Sequence, residues 1–66
     1  MVKNKLKEIR MKEYMIESKS EFARMLNVPV QTYIKWENGE SSPNLDLAFT
    51  IAKKLNRTVI DIWYQI

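Results

Sequence analysis

The side chains able to do chemistry in this 66-residue chain are amines, guanidinium groups, amides, hydroxyls and carboxylates. Cysteine and histidine are both absent, which removes thiolate and imidazole ligands, the cysteine nucleophile and the commonest general base. The carboxylates are scattered rather than paired, and no glycine-rich phosphate loop is present. The composition therefore argues against an enzyme, a metal site, a cofactor or a small-molecule ligand. What stands out is basic charge. Lys3, Lys5, Lys7, Arg10, Lys12, Lys19 and Arg24 face only four glutamates in residues 1–27, whereas the remainder carries four groups of each sign. A basic surplus of this kind suits a polyanionic partner, or equally an ordinary solvated surface.

The elements that must position these groups read as helices. One glycine and two prolines in a chain this short favour an all-α domain spanning residues 1–66. No stretch approaches the ~18 apolar residues of a membrane span, and no apolar N-terminal run resembles a signal peptide. The expectation is a water-soluble, cytoplasmic protein. Hydrophobic spacing puts a first helix over Lys3 to Tyr14, with Val2, Leu6 and Ile9 on one face. Ser18 stands three residues before Glu21, a capping-box spacing, and opens a second helix through Leu26 that buries Phe22, Ala23 and Leu26. Asn27 suits the left-handed residue that ends a helix, and Pro29 suits the first turn of the next. That third helix runs from about Val30 to Glu37 and stops at Asn38-Gly39. Asn44 caps a fourth, with Leu45, Ala48, Phe49, Ala52 and Leu55 at helical spacing and Lys53 and Lys54 in its last turns. Thr58 and Asp61 give a weaker cap signature for a fifth, through Val59, Ile62 and Trp63. Val59, Ile62, Trp63 and Ile66 form a stripe suited to the core. Ile60 and Tyr64 form another with no evident use inside a monomer. Apolar groups without an internal use mark an interface, so segment 59–66, with Ile60, Tyr64 and Ile66, is the expected dimer contact.

The run from Ser18 to Gly39, ending Lys35-Trp36-Glu37-Asn38-Gly39, resembles the Cro/C1-type (XRE) helix-turn-helix domain of bacterial and phage repressors. Pro43 to Leu55 and Thr58 to Trp63 resemble that family's last two helices, so the likeness covers residues 4–63. It implies a compact five-helix, lambda-repressor-like DNA-binding fold with its helix-turn-helix at about residues 19–37. Val30–Glu37 would then be a recognition helix in the major groove of double-stranded DNA. Gln31 matches the base-reading position, and its amide can pair bidentately with adenine. Val30 can touch a thymine methyl, Thr32 a base or phosphate, and Lys35 a guanine edge or phosphate. Lys19 stands where the family usually has a phosphate-contacting glutamine. Asn38 and Gly39 would offer side-chain and backbone N–H groups to the same DNA backbone. Arg10 and Glu37 match an internal ion pair, and Tyr33 and Trp36 match core positions. The sequence departs from the family in three places. Glu40-Ser41-Ser42 lacks the lysines often found there, the link from Arg10 to Ser18 is longer, and Ile34 occupies a usually polar position. The implied function is a homodimeric, cytoplasmic, bacterial or phage-encoded repressor on a near-palindromic operator. The alternative is a protein-interaction module on the same scaffold, an antitoxin or anti-repressor.

Overall fold

The structure is a computed structural model that describes residues 2–65. Its elements are β1 (Val2–Asn4), α1 (Leu6–Glu8) continuing as a π-helical turn over Ile9–Glu13, α2 (Lys19–Met25), α3 (Val30–Glu37), α4 (Leu45–Lys54), α5 (Val59–Ile62) and β2 (Trp63–Gln65). The expected all-α class is thus corrected to a mostly helical fold with one two-stranded antiparallel ribbon. In it Val2 pairs with Gln65, Lys3 with Tyr64 and Asn4 with Trp63.

The ribbon changes both chain ends. The first helix starts at Leu6 rather than Lys3, because the Asn4 side chain accepts the Leu6 N–H at 3.1 Å and leaves the residues before it extended. Val2 is consequently exposed instead of lying on the buried helical face. The fifth helix likewise stops at Ile62, and Trp63 and Tyr64 extend into β2 as aromatic residues tend to do. Ile66 lies outside the described residues.

The π-helical turn absorbs the long link. Tyr14 N–H reaches back five residues to Ile9 O at 3.2 Å, and Ile16 N–H reaches Arg10 O at 3.0 Å. Met15 turns the chain at φ 53° before α2 begins.

The other boundaries follow local chemistry. Three helices end in the same closure, with a left-handed residue just past the end: Asn27 (φ 61°), Gly39 (φ 79°) and Asn56 (φ 58°). In each, the next residue returns its N–H to the last turn: Val28 to Ala23 O, Glu40 to Lys35 O and Arg57 to Ala52 O. At the starts, Ser18 Oγ accepts the Glu21 N–H at 3.1 Å and also meets Ser20 Oγ at 2.9 Å. The complete reciprocal box forms instead at Thr58 and Asp61, at 3.3 and 3.1 Å.

Leu6, Ile9, Phe22, Leu26, Tyr33, Trp36, Ile51 and Ile62 make the centre of the core. Phe22 is the hub of an aromatic row, edge-on to both Tyr14 and Tyr33 with ring centroids 5.6 Å apart. On α4 the buried face is Ala48, Ile51, Ala52 and Leu55. Leu45 and Phe49, which share the expected spacing, are 67% and 58% exposed. The face is rotated relative to the expectation because Ile51, rather than Phe49, fills the centre. Among the described residues no helix is long and apolar enough to cross a membrane.

Candidate nucleic-acid interface

What α3 buries decides which of its side chains face outward. Tyr33 and Trp36 point into the core, which turns Gln31 and Lys35 outward and leaves Val30, Thr32 and Ile34 half-buried. Ile34, at a usually polar position, is thus partly covered. Pro29 supplies no side-chain cap, and the first amide bonded back is that of Tyr33, to Pro29 O at 3.0 Å. The first turn thus offers the exposed Gln31 side chain and amides without an intrahelical partner.

Its other end is tied down. The Glu37 carboxylate takes Arg10 Nε and Nη2 side-on, each at 3.2 Å, and the Tyr33 hydroxyl at 2.6 Å. Lys19 Nζ lies 3.8 Å from its other oxygen. Arg10 Nη1 also donates to Ile16 O at 3.0 Å and to Glu17 O, so one guanidinium holds both the link before α2 and the end of α3. Arg10 and Glu37 side chains are only 3% and 4% exposed. Burial alone would push the Glu37 carboxyl up, but hydrogen bonds from Arg10 and Tyr33 and the Arg10 charge together hold it below its ordinary value. Burial likewise pulls Arg10 down, and Glu37 outweighs it and holds the guanidinium above its ordinary value. Tyr33 is raised, first by burial and then by its bond to Glu37. With a matched bidentate geometry and Nη1 directed at two carbonyls and a sulfur, the pair is compensated in the sense buried charges require.

The residues expected to meet phosphate fare differently. Lys19, its side chain 40% exposed, leans toward Glu37 but keeps a solvent-facing ammonium at the start of α2. The backbone N–H groups of Asn38 and Gly39 are spent inside the helix end, on Ile34 O and Trp36 O at 3.0 Å each. This corrects the idea that they face outward: Gly39 is there to close the helix. Only the Asn38 side chain remains, and it donates to Glu40 Oε2 at 3.3 Å. A carboxylate thus sits just past the end of α3.

Three contributors escaped the sequence reading. Asn4 Nδ2 donates to Trp36 O at 2.7 Å, the Tyr33 hydroxyl completes Glu37, and Lys54 Nζ caps α2 through Leu26 O at 3.2 Å. The i,i+4 spacing of Tyr33 and Glu37 was a usable signal. Nothing local marked the other two.

The family model for the Cro/C1-type helix-turn-helix matches residues 6–62. The chain belongs to that family. No curated protein matches the sequence. Cro/C1-type helix-turn-helix domains form a family of DNA-binding transcription regulators that are not typically enzymatic. The matched span leaves out β1 and β2, and the ribbon is an element this helix-turn-helix domain carries beyond it.

Proposed function

We propose that this helix-turn-helix domain is a repressor-type transcription regulator that binds a near-palindromic operator as a homodimer. The observation that carries the reading is α3 itself, with Tyr33 and Trp36 inside, Gln31 and Lys35 outside, and its trailing end locked to Arg10. An exposed amide in the first turn of such a helix can pair with adenine in the major groove, a contact worth ~1–3 kcal/mol of discrimination. Gln31 is accordingly the base reader, with Val30, Thr32 and Lys35 beside it. Lys19 and the Asn38 side chain meet the DNA backbone. The homodimer rests on Ile60, 79% exposed, and on the exposed Tyr64. Two copies would present recognition helices to half-sites ~10 bp apart. Such a role places the protein in the cytoplasm of a bacterium or a phage-infected cell.

Selection of bound duplexes from a random library tests the whole reading. A two-fold symmetric consensus is expected, with Gln31→Ala relaxing the preference at one position of each half-site. A library that yields no preferred sequence, together with co-purification of a stoichiometric protein, would support the second reading, a protein-binding module. The exposed Leu45 and Phe49 favour that alternative.

A further inference from the structure

We propose that Asn4 is a positioning residue for the recognition helix, a second strut beside the Arg10–Glu37 lock. Its carboxamide works in both directions. The oxygen accepts the Leu6 N–H at 3.1 Å and so begins α1, while the nitrogen donates to Trp36 O at 2.7 Å, 32 residues away, in the last turn of α3. Trp36 O has no amide four residues on to serve it, because Glu40 N–H closes on Lys35 O. Its two lone pairs are met by Gly39 N–H at 3.0 Å and by Asn4.

Tyr33 and Trp36 anchor the helix in the core, but at its end an open cleft of about 280 Å³ lies between the ribbon and α3, lined by Val2, Lys3, Asn4, Glu37, Asn38 and Gly39. Among the described residues, Asn4 to Trp36 is the one side-chain hydrogen bond that crosses from the ribbon to α3. Asn4 is itself fixed from behind by its strand pairing with Trp63, whose side chain is buried. The two struts grip α3 differently. Arg10 holds a side chain on the helix flank, and Asn4 holds a main-chain carbonyl near the helix end. Burial of Tyr33 and Trp36 sets the face that α3 turns outward, and the two struts further restrict the residual roll that would swing Gln31 away from a base edge. Positioning of this kind matters because a small misplacement removes a bidentate contact.

The inference rests on the DNA-reading role proposed above, and the test separates the two. Asn4→Asp retains the acceptor for Leu6 N–H and loses the donor toward Trp36 O, whereas Asn4→Ala loses both. For each full-length variant, affinity is measured for the selected duplex and for a scrambled one, alongside amide hydrogen exchange. Both variants are expected to lower the selected-to-scrambled ratio roughly three- to tenfold, the worth of one net hydrogen bond. Both should also speed exchange at Gly39 and Glu40, while the amides of α4 keep their wild-type protection. An Asn4→Asp protein with wild-type ratio and wild-type exchange overturns the strut and leaves Asn4 as a cap for α1. If the wild-type chain selects no sequence, the DNA reading fails, and the exchange at Gly39 and Glu40 alone then decides whether Asn4 holds the helix end.

Discussion

At its leading end α3 offers a proline with no side-chain cap, open first-turn amides and an exposed Gln31. At its trailing end, about two turns later, Trp36, Glu37 and Gly39 are held by Asn4, Arg10, Tyr33, Lys19 and a closed left-handed turn. The contrast is between one end of a helix left open and the other end fixed. Polar groups that must meet a partner are left unpaired, and rigidity is supplied from the far end of the same element, where charge can be buried and fully bonded. With a stability of roughly 3–10 kcal/mol available to a chain of this length, few such bonds can be lost.

Removing the lock should have the largest effect. Arg10→Ala leaves the Glu37 carboxylate buried without its charge partner, an error that costs about 3–5 kcal/mol and can unfold the domain, read as the midpoint of chemical denaturation. Replacing both residues, Arg10→Met with Glu37→Leu, should recover part of that loss but not all. The Tyr33 hydroxyl and the carbonyls of Ile16 and Glu17 would still have lost their partners. A double variant as unstable as the single one would mean that the pair contributes through shape and not through charge.

Acid probes the same end more gently. Glu37 is held below its ordinary value of 4.5, so its contribution is fully present above that value and fades as pH falls through the lower folded-state value. Stability should therefore decline below about pH 4.5, and Glu37→Gln should flatten this limb while lowering stability at neutral pH. An unchanged acid limb in Glu37→Gln would assign it to other carboxylates. Asp61 is one, since its bonds to Thr58 shift it in the same direction.

The turn that closes α3 comes next. Gly39 sits at φ 79° with nothing within 4 Å of where a Cβ would be, so Gly39→Ala meets no steric neighbour and only the backbone resists. A cost of about 1–2 kcal/mol is expected, and Gly39→Asn should cost less, as Asn27 and Asn56 already occupy such positions. Equal losses for alanine and asparagine would show that the left-handed backbone is not what matters there.

The middle of the fold was legible because its punctuation is local. Ser18, Asn27, Pro29, Gly39, Asn44 and Thr58 each act on neighbours within a few residues, so the starts and ends of α2, α3 and α4 can be read in order. The orientation of Gln31 and Lys35 follows once Tyr33 and Trp36 are inside. The ribbon was not legible, since Val2–Asn4 becomes a strand only by meeting Trp63–Gln65 from the other end of the chain. The π-helical turn hid for a related reason: nothing between Ile9 and Glu13 distinguishes it from an α-helix until the chain must reach Ser18. On α4 the period was right and the face was not, because Phe49 and Ile51 fit neighbouring faces equally well by spacing alone. At the site the same rule applies. Amides that looked available at Asn38 and Gly39 were already committed to carbonyls three and four residues back, and Asn4 was invisible without its distant acceptor.

Lys19 belongs to neither end alone, and it gives the smallest and most discriminating test. Its ammonium is 3.8 Å from the buried Glu37 carboxylate yet remains partly in water, where a pair of this kind is worth under about 1 kcal/mol. Lys19→Gln should thus shift the denaturation midpoint little, in contrast to Arg10→Ala. In DNA binding it should weaken selected and scrambled duplexes alike, and reduce the salt dependence by about one phosphate's worth. Arg10 and Lys19 touch the same carboxylate, so equal destabilisation would place Lys19 inside the lock. A loss confined to affinity instead makes it the point where the lock, from its solvent side, reaches the DNA backbone.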